Sequence, residues 1–183
     1  MMPSPDDDLL PRAFSGGLLR RLRPTDLDCF QSYRSIPELG RYQSWLPMSE
    51  TEASAFLTQM STASLFSPGE WIQLGIAEPF ADRLIGDIGI YVANDARTAK
   101  IGITLEPDSQ GRGIATAAVK EAIHLLFAAT KVSQVFGITD HRNTPSIRLL
   151  ERIGFRFKEN RDTIFRGEPC CEKIYVLARI DPS

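Results

Sequence analysis

The chain has 183 residues, of which 43% are hydrophobic, and its formal net charge at pH 7 is −2. This composition excludes an intrinsically disordered chain and suits one domain with a buried core. The balanced charge argues against a nucleic-acid or membrane surface, and no apolar run approaches the roughly 20 residues that span a bilayer.

The first half of the chain predicts two helices between an N-terminal strand and an antiparallel meander. Residues 1–15 begin with an acidic, proline-containing stretch that lacks the features of a secretory signal. We expect them to form a flexible tail, followed by a single domain over residues 16–183. The predicted elements are a strand at 18–23, a helix from Thr25 to about residue 35, a helix that begins at Ser49 or Thr51, and strands at 71–77, 84–92 and 100–105.

The second half alternates helices with strands. The predicted elements are a long helix at 113–129, a strand at 134–139, a helix at 144–153 and a closing hairpin of strands at 155–165 and 171–180. A meander that leads into a strand–helix–strand unit predicts a mixed sheet with helices on both faces.

A glycine-rich turn joins the third strand of the meander to the long helix. The stretch from Gln110 to Thr116 reads QGRGIAT. Glycine lets the backbone adopt positive φ and approach a ligand closely, and the first N–H groups of a helix have no partner within it. Such a turn favours an anion, above all a phosphate.

Three kinds of phosphate site compete for this turn. A P-loop ends in lysine followed by serine or threonine, whereas Gly113 is followed by Ile114 and Ala115. A dinucleotide fingerprint has its third glycine where this chain has Thr116, and it opens a parallel sheet rather than following a meander. The third pattern, Gln/Arg-x-x-Gly-x-Gly/Ala, is satisfied at every fixed position.

A second motif lies downstream, where Asn143 to Phe155 read NTPSIRLLERIGF. Asn143 or Thr144 can cap a helix whose first turn accommodates Pro145, and Gly154 ends it. The two motifs in this order resemble the GNAT N-acetyltransferase family, whose second hallmark is Asn-x-x-Ser-x-x-Leu-x-x-x-x-Gly-Phe. The resemblance covers roughly residues 18–180.

Shorter matches at 41–47, 84–87 and 166–168 are similar to the RimJ/RimL-like branch, whose namesakes acetylate the N-terminal amine of ribosomal proteins. The family resemblance implies an α/β (α+β) fold with a mixed, mostly antiparallel seven-stranded sheet and about four helices. It also implies transfer of an acetyl group from acetyl-CoA to a primary amine.

The resemblance places acetyl-CoA against the glycine-rich turn, the strand before it and the downstream helix. The residues expected to contact the cosubstrate are Ile103, Thr104, Leu105, Gln110, Gly111, Arg112, Gly113, Ile114, Ala115, Thr116, Asn143 and Arg152. Backbone amides would hold the pyrophosphate, and the strand would pair its main chain with the pantetheine arm.

Two residues are catalytic candidates. Many family members protonate the leaving thiolate with a tyrosine, but that position reads Leu150 here. The RimJ/RimL-like branch commonly has a serine one turn earlier, which is Ser146. Glu106 is a candidate base by type and position, although Glu106 and Pro107 could simply end the strand. The other base candidates are Asp87, Glu78, Asp140, His141 and a chain of water molecules.

The acceptor stays open among a protein N-terminus, an aminoglycoside-like antibiotic, a polyamine and an amino-acid derivative. A non-catalytic acyl-CoA-binding module is the alternative that Leu150 permits. The three cysteines match no metal-ligand spacing, so we expect no metal and a reducing, cytoplasmic location. We expect no nucleic-acid or membrane partner, and a homodimer is one option for the assembly.

Overall fold

Eight strands form one sheet in the computed structural model, which describes residues 9–180. In chain order they are β1 (Arg12–Phe14), β2 (Gly17–Arg21), β3 (Trp71–Ala77), β4 (Leu84–Val92), β5 (Thr98–Leu105), β6 (Gln134–Asp140), β7 (Arg156–Phe165) and β8 (Glu168–Ala178). Their order in the sheet is β1-β2-β3-β4-β5-β6-β8-β7. Only the β5–β6 pair of this sheet is parallel, so the sheet is mixed and mostly antiparallel.

Five α-helices within residues 9–180 flank the sheet. They are α1 (Leu27–Arg34), α2 (Pro37–Gly40), α3 (Glu50–Thr62), α4 (Ile114–Ala129) and α5 (Thr144–Ile153). α1 packs on β4 and α3 packs on β3, whereas α4 packs on β1, β2, β5 and α5. Short 3₁₀ turns precede α1 and follow β5, at Pro24–Asp26 and Pro107–Ser109.

The apolar pattern of the sequence explains the core. All but one residue of β4 is buried, as is typical of a central strand covered on both faces. The alternating residues Ile88 and Ile90 of β4 pack in one cluster with Leu125 and Leu126 of α4. A capping box starts α3, because Ser49 and Glu52 each accept a hydrogen bond from the backbone N–H of the other.

Most predicted elements match the structure, with four differences. The sheet has eight strands rather than seven, because β1 lies within the segment expected to be a tail. Leu9, Leu10 and Phe14 pack against the core, so the expected tail of residues 1–15 does not extend over residues 9–15. Residues 1–8 lie outside the described part of the chain. The helix α2 was not predicted, and Thr25 lies in a 3₁₀ turn rather than capping α1.

Among residues 9–180, no helix combines the length and the hydropathy that crossing a bilayer requires.

Candidate active site

The sheet opens between β5 and β6. Their pairing runs from Thr98 opposite Gln134 to Ile101 opposite Gly137 and then stops. Beyond this point β5 pairs with β4, and β6 pairs with β8. The wedge between residues 102–105 and residues 138–140, called the cleft below, has the glycine-rich turn after one side and the start of α5 after the other.

The glycine-rich turn is shaped as an anion cradle. Gly111 has φ +72°, and Gly113, the N-cap of α4, has φ +80°. No side chain caps α4, and a Cβ at either glycine would meet no heavy atom within 4 Å. Thr116 Oγ1, in the first turn of α4, is buried and has no hydrogen-bond partner among the described residues. Free amides and an orphaned hydroxyl at a helix start fit the phosphates of coenzyme A.

The end of β5 turns main-chain groups toward the cleft. Glu106 N donates to Ile85 O of β4 at 2.8 Å, so the alternation of an antiparallel pair directs the main chain of Ile103 and Leu105 away from β4. Two side chains occupy the carbonyls: Gln43 Nε2 donates to Ile103 O at 3.1 Å, and Gln110 Nε2 donates to Leu105 O at 2.9 Å. The two N–H groups therefore remain directed at the cleft.

Thr104 differs from its two neighbours, because the same alternation turns its main chain toward β4. Its side chain is buried, and its Oγ1 accepts a hydrogen bond from Trp45 Nε1 at 3.2 Å. This geometry suits a structural contact better than the cosubstrate contact expected of Thr104.

The start of α5 lies after the other side of the cleft. Asn143 Oδ1 accepts a hydrogen bond from Ser146 N at 3.3 Å, so Asn143 caps the helix. The Ser146 hydroxyl is half-buried and makes no hydrogen bond to any residue in 9–180. Leu150 is buried against Gly137 of β6. The position that carries tyrosine in many family members is therefore apolar, and Ser146 offers a free hydroxyl one turn earlier.

Glu106 is held by an arginine. Its carboxylate accepts hydrogen bonds from Arg83 Nη1 at 2.9 Å and Nη2 at 2.7 Å, and from Ser109 Oγ at 2.8 Å. The guanidinium of Arg83 lowers the pKa of Glu106. A carboxylate in this setting is a weak proton acceptor, and the contacts suit a residue that fixes the turn after β5.

The other candidate bases are also engaged. Each carboxylate contacts an arginine, in the pairs Asp87–Arg34, Asp140–Arg142 and Glu78–Arg83. Asp87 is fully buried and also accepts a hydrogen bond from Tyr33 Oη at 2.5 Å. The Arg142 guanidinium lowers the pKa of Asp140 far below its usual range. His141 is exposed, with its Nδ1 3.1 Å from Cys171 O.

A segment that begins at the last residue of α2 and leads toward α3, residues 40–46, connects the two sides of the site. We call it the bridging loop. On the β5 side, Gln43 and Trp45 make the contacts with Ile103 and Thr104 described above. On the other side, Arg166 at the tip of the β7–β8 hairpin donates from Nη2 to the carbonyl oxygens of Gly40, Gln43 and Trp45, at 3.0 to 3.1 Å.

Several predicted contact residues have other surroundings in the structure. The side chain of Ile114 is buried in the core, so only its main chain is available to a ligand. Arg112 is exposed in the turn itself. Arg152 is exposed in the last turn of α5, nine residues after Asn143 and therefore roughly 14 Å away along the helix.

Sequence reasoning missed Gln43, Arg83 and the role of Arg166. Their partners lie 60, 23 and up to 126 residues away in the chain. The only signal for Gln43 and Arg166 was the similarity of 41–47 and 166–168 to the RimJ/RimL-like branch, which carries no information on contacts. No signal in the sequence marked Arg83.

Comparison with known proteins supports the resemblance to the GNAT family that the two motifs indicate. The profile of the acetyltransferase (GNAT) domain matches residues 18–156. The chain is 27% identical over 139 residues to the uncharacterized N-acetyltransferase p20 of Bacillus licheniformis, covering 75% of this chain and 78% of the relative.

Solved structures share the fold. A GNAT-family acetyltransferase from Bacillus anthracis superposes with a TM-score of 0.81 at 19% identity, covering 92% of this chain and 98% of that one. A spermidine N-acetyltransferase from Vibrio cholerae, in complex with CoA and spermine, has a TM-score of 0.76 at 18% identity and covers 90% and 96%. RimL, the ribosomal L7/L12 α-N-protein acetyltransferase, has a TM-score of 0.75 at 13% identity and covers 90% and 94%.

The profile match spans most of the chain, and it includes both motifs and the strands that border the cleft. The chain therefore belongs to the GNAT family of acetyl-CoA-dependent N-acetyltransferases.

Proposed function

We propose that this enzyme acetylates a primary amine at the mouth of the cleft, with the pyrophosphate of acetyl-CoA on the glycine-rich turn. The observation that carries the proposal is the open, left-handed turn of Gly111 and Gly113 at the start of α4, directly after a strand that has left its neighbour. Acetyl-CoA supplies the activated acetyl group, which passes to the amine nitrogen with release of the coenzyme A thiol.

Binding rests on main-chain groups. The amides from Gly111 to Ala115 hold the pyrophosphate, and the Thr116 hydroxyl gains the partner it lacks. The N–H groups of Ile103 and Leu105 bind the pantetheine arm as an added strand would, and one of them can polarise the thioester carbonyl. Arg112 lies in the glycine-rich turn itself, whereas Arg152 lies in the last turn of α5, so Arg112 is the better proposal for a phosphate contact.

The start of α5 serves the leaving group. Ser146 donates its free hydroxyl to the sulfur as the thioester breaks, which stabilises the developing thiolate. The side-chain oxygen of Asn143, Oδ1, caps the helix, so the side-chain nitrogen, Nδ2, is the group that contacts pantetheine.

Water is the better proposal for the base. The amine must lose a proton before it attacks, and each carboxylate named as a candidate is bound by an arginine. Glu106 therefore acts as a positioning residue, which fixes the turn between β5 and the anion cradle through Arg83 and Ser109.

We assign the chain to the RimJ/RimL-like branch and propose the N-terminal amine of a protein as the acceptor. RimL is among the structural neighbours, although a spermidine acetyltransferase is equally similar in fold. The two motifs follow β5 and β6, neighbouring strands of one continuous sheet, which supports a single catalytic domain. The three free cysteines support a reducing, cytoplasmic location.

The turn can be tested with two glycines in the same conformation. Gly113→Val places a branched side chain where the phosphates would lie, so acetyl-CoA affinity should fall at least tenfold by calorimetry. Gly167, at the hairpin tip, also has positive φ (+82°) and open space at its Cβ. Gly167→Val therefore imposes similar backbone strain and should leave acetyl-CoA affinity within about twofold. Unchanged affinity in Gly113→Val would refute the assignment of the turn.

A further inference from the structure

A cluster of cationic side chains surrounds one tyrosine of the bridging loop. The Arg41 guanidinium lies 5.3 Å from the centre of the Tyr42 ring, and the Arg142 guanidinium lies 5.7 Å from it. Arg166 binds the loop carbonyls on both sides of Tyr42, at Gly40 and Gln43. Three guanidinium groups thus lie against one short segment.

This segment lies where an acceptor must approach. Gln43, the residue after Tyr42, reaches the β5 carbonyl that faces the cleft. Arg142 directly precedes Asn143, the cap of α5, and lies two residues after the end of β6. Tyr42 therefore spans the cleft mouth between the strand proposed to bind pantetheine and the helix proposed to hold the sulfur.

The positive charge is only partly compensated. Asp140 is bound to Arg142 through two hydrogen bonds, of 2.9 and 2.7 Å, and is itself buried. Arg41 and Arg166 form no ion pair with any carboxylate in residues 9–180. The acidic residues nearest to them in sequence, Glu38 and Glu168, are exposed and form no ion pair with either arginine. The cleft mouth therefore attracts anions and repels polycations.

We infer that the preferred acceptor is a primary amine that carries an anionic group, a carboxylate or a phosphate, which Arg41 binds beside the Tyr42 ring. Arg142 holds Asp140 through its Nε and Nη2 and can contribute only through its Nη1. The inference rests on the proposed function and narrows its acceptor. Arg41 suits this task because the planar fork of an arginine can bind either a carboxylate or a phosphate while it stays stacked on an aromatic ring, here that of Tyr42. Polyamines, which carry further cations instead, are poor acceptors for such a site.

Matched acceptors test the inference. The pairs are the peptide amides Ala-Glu-Ala-NH2 and Ala-Gln-Ala-NH2, and phosphoethanolamine and ethanolamine, with spermidine as the polycation. Release of coenzyme A thiol should give a kcat/KM about tenfold higher for the anionic member of at least one pair, and the difference should shrink at high salt. The pair that shows it distinguishes a carboxylate from a phosphate. A nearby anion raises the pKa of an amine and reduces its neutral fraction, so the expected preference cannot come from amine reactivity.

Arg41 is the residue to substitute, because removing Arg142 would leave Asp140 buried without its partner. Arg41→Gln should raise KM for the preferred anionic acceptor five- to tenfold and change KM for its neutral partner less than twofold. Arg41→Lys should restore much of the loss. Arg156 is an exposed arginine on β7 and provides the control: Arg156→Gln should change the KM of neither acceptor.

Three outcomes overturn the inference. If spermidine or the neutral amines are acetylated with the same kcat/KM as the anionic amines, the inference is refuted and the proposed function stays intact. Equal effects of Arg41→Gln on both members of a pair would have the same meaning. Absence of thiol release with every amine would refute the proposed function and the inference with it.

Discussion

Leu150 lies directly over the α-carbon of Gly137, so that a Cβ at Gly137 would come within 2.4 Å of Leu150 Cδ2. This contact joins α5 to β6 at the last residue pair before the cleft opens. Gly137→Ala should therefore destabilise the protein by about 1–3 kcal/mol through overpacking. Thermal unfolding should show a fall of roughly 2–4 °C for each kcal/mol.

Gly102 on β5 provides the matched control. It also lies in a strand beside the cleft, but a Cβ there would meet no atom within 4 Å. Gly102→Ala should leave the melting temperature unchanged or raise it slightly, because alanine restricts the unfolded chain more than glycine. Equal destabilisation by the two substitutions would show that the Leu150 contact is not the cause.

Ser146→Ala should slow acetyl transfer more than it weakens cosubstrate binding. We expect kcat to fall about 10- to 100-fold. The hydrogen bond from Ser146 to the sulfur becomes strong only as negative charge develops on the sulfur, so its loss raises the barrier of the chemical step. The dissociation constant of acetyl-CoA should stay within about twofold by calorimetry. Thr144→Ala, at an exposed neighbour in the same helical turn, should preserve both values. Equal losses in kcat and affinity for Ser146→Ala would contradict this role, and a loss of affinity with kcat unchanged would assign the serine to binding alone.

Glu106→Gln should weaken stability at neutral pH without removing activity. The Arg83 pair lowers the pKa of Glu106, so the ionised carboxylate stabilises the folded state above its unfolded pKa of about 4.3. This contribution is lost as pH falls through the lower folded-state pKa. Urea unfolding should show a difference from wild type of about 0.5–1 kcal/mol at pH 7, since the arginine is partly exposed, and almost none near pH 2.

The pH–rate profile decides whether Glu106 is the base. If Glu106 only positions the turn, kcat/KM of the Glu106→Gln variant is less than about threefold below that of wild type. The rise of kcat/KM with pH then still follows the ionisation of the acceptor amine. A loss of 10²-fold or more would instead match the removal of a general base.

Arg166→Ala should release the bridging loop from the hairpin. Three backbone carbonyls of the bridging loop lose their common donor, so this loop, beside which the acceptor is proposed to bind, becomes less ordered. We expect KM for the acceptor to rise about five- to tenfold while the acetyl-CoA dissociation constant changes less than twofold. Arg161→Ala on the same hairpin breaks the exposed pair with Glu172 and should leave both constants unchanged. A larger effect on acetyl-CoA than on the acceptor would contradict this role of Arg166.

The sequence predicts the central elements well because their signals are local. The predicted bounds of β3, β4 and α5 agree with the structure. Their signals, apolar runs in the strands and the cap residue and terminal glycine of the helix, lie within or directly beside each element. The strand β1 was missed because three residues are too short to show an alternating pattern. The two motifs also identify the family, because they are contiguous stretches in a fixed order.

The surroundings of the site could not be predicted from the sequence. Gln110 was expected to contact the cosubstrate, yet its side chain holds the carbonyl of Leu105. Nothing in the sequence indicates that Arg83 binds Glu106 or that Arg166 reaches the bridging loop. Such contacts depend on how distant elements meet in the sheet, and that is set by the whole fold rather than by local pattern.

The position of β8 between β6 and β7 has a consequence for the order in which the protein is made. Both neighbours are synthesised before β8 and have their pairing partner in it. Until residues 168–178 have left the ribosome, β6 carries an open edge in the middle of the future sheet and β7 has no place in it. We therefore expect the nascent chain to need protection from aggregation until β8 has been synthesised, and the β6 side of the cleft to be fixed only when β8 pairs with it.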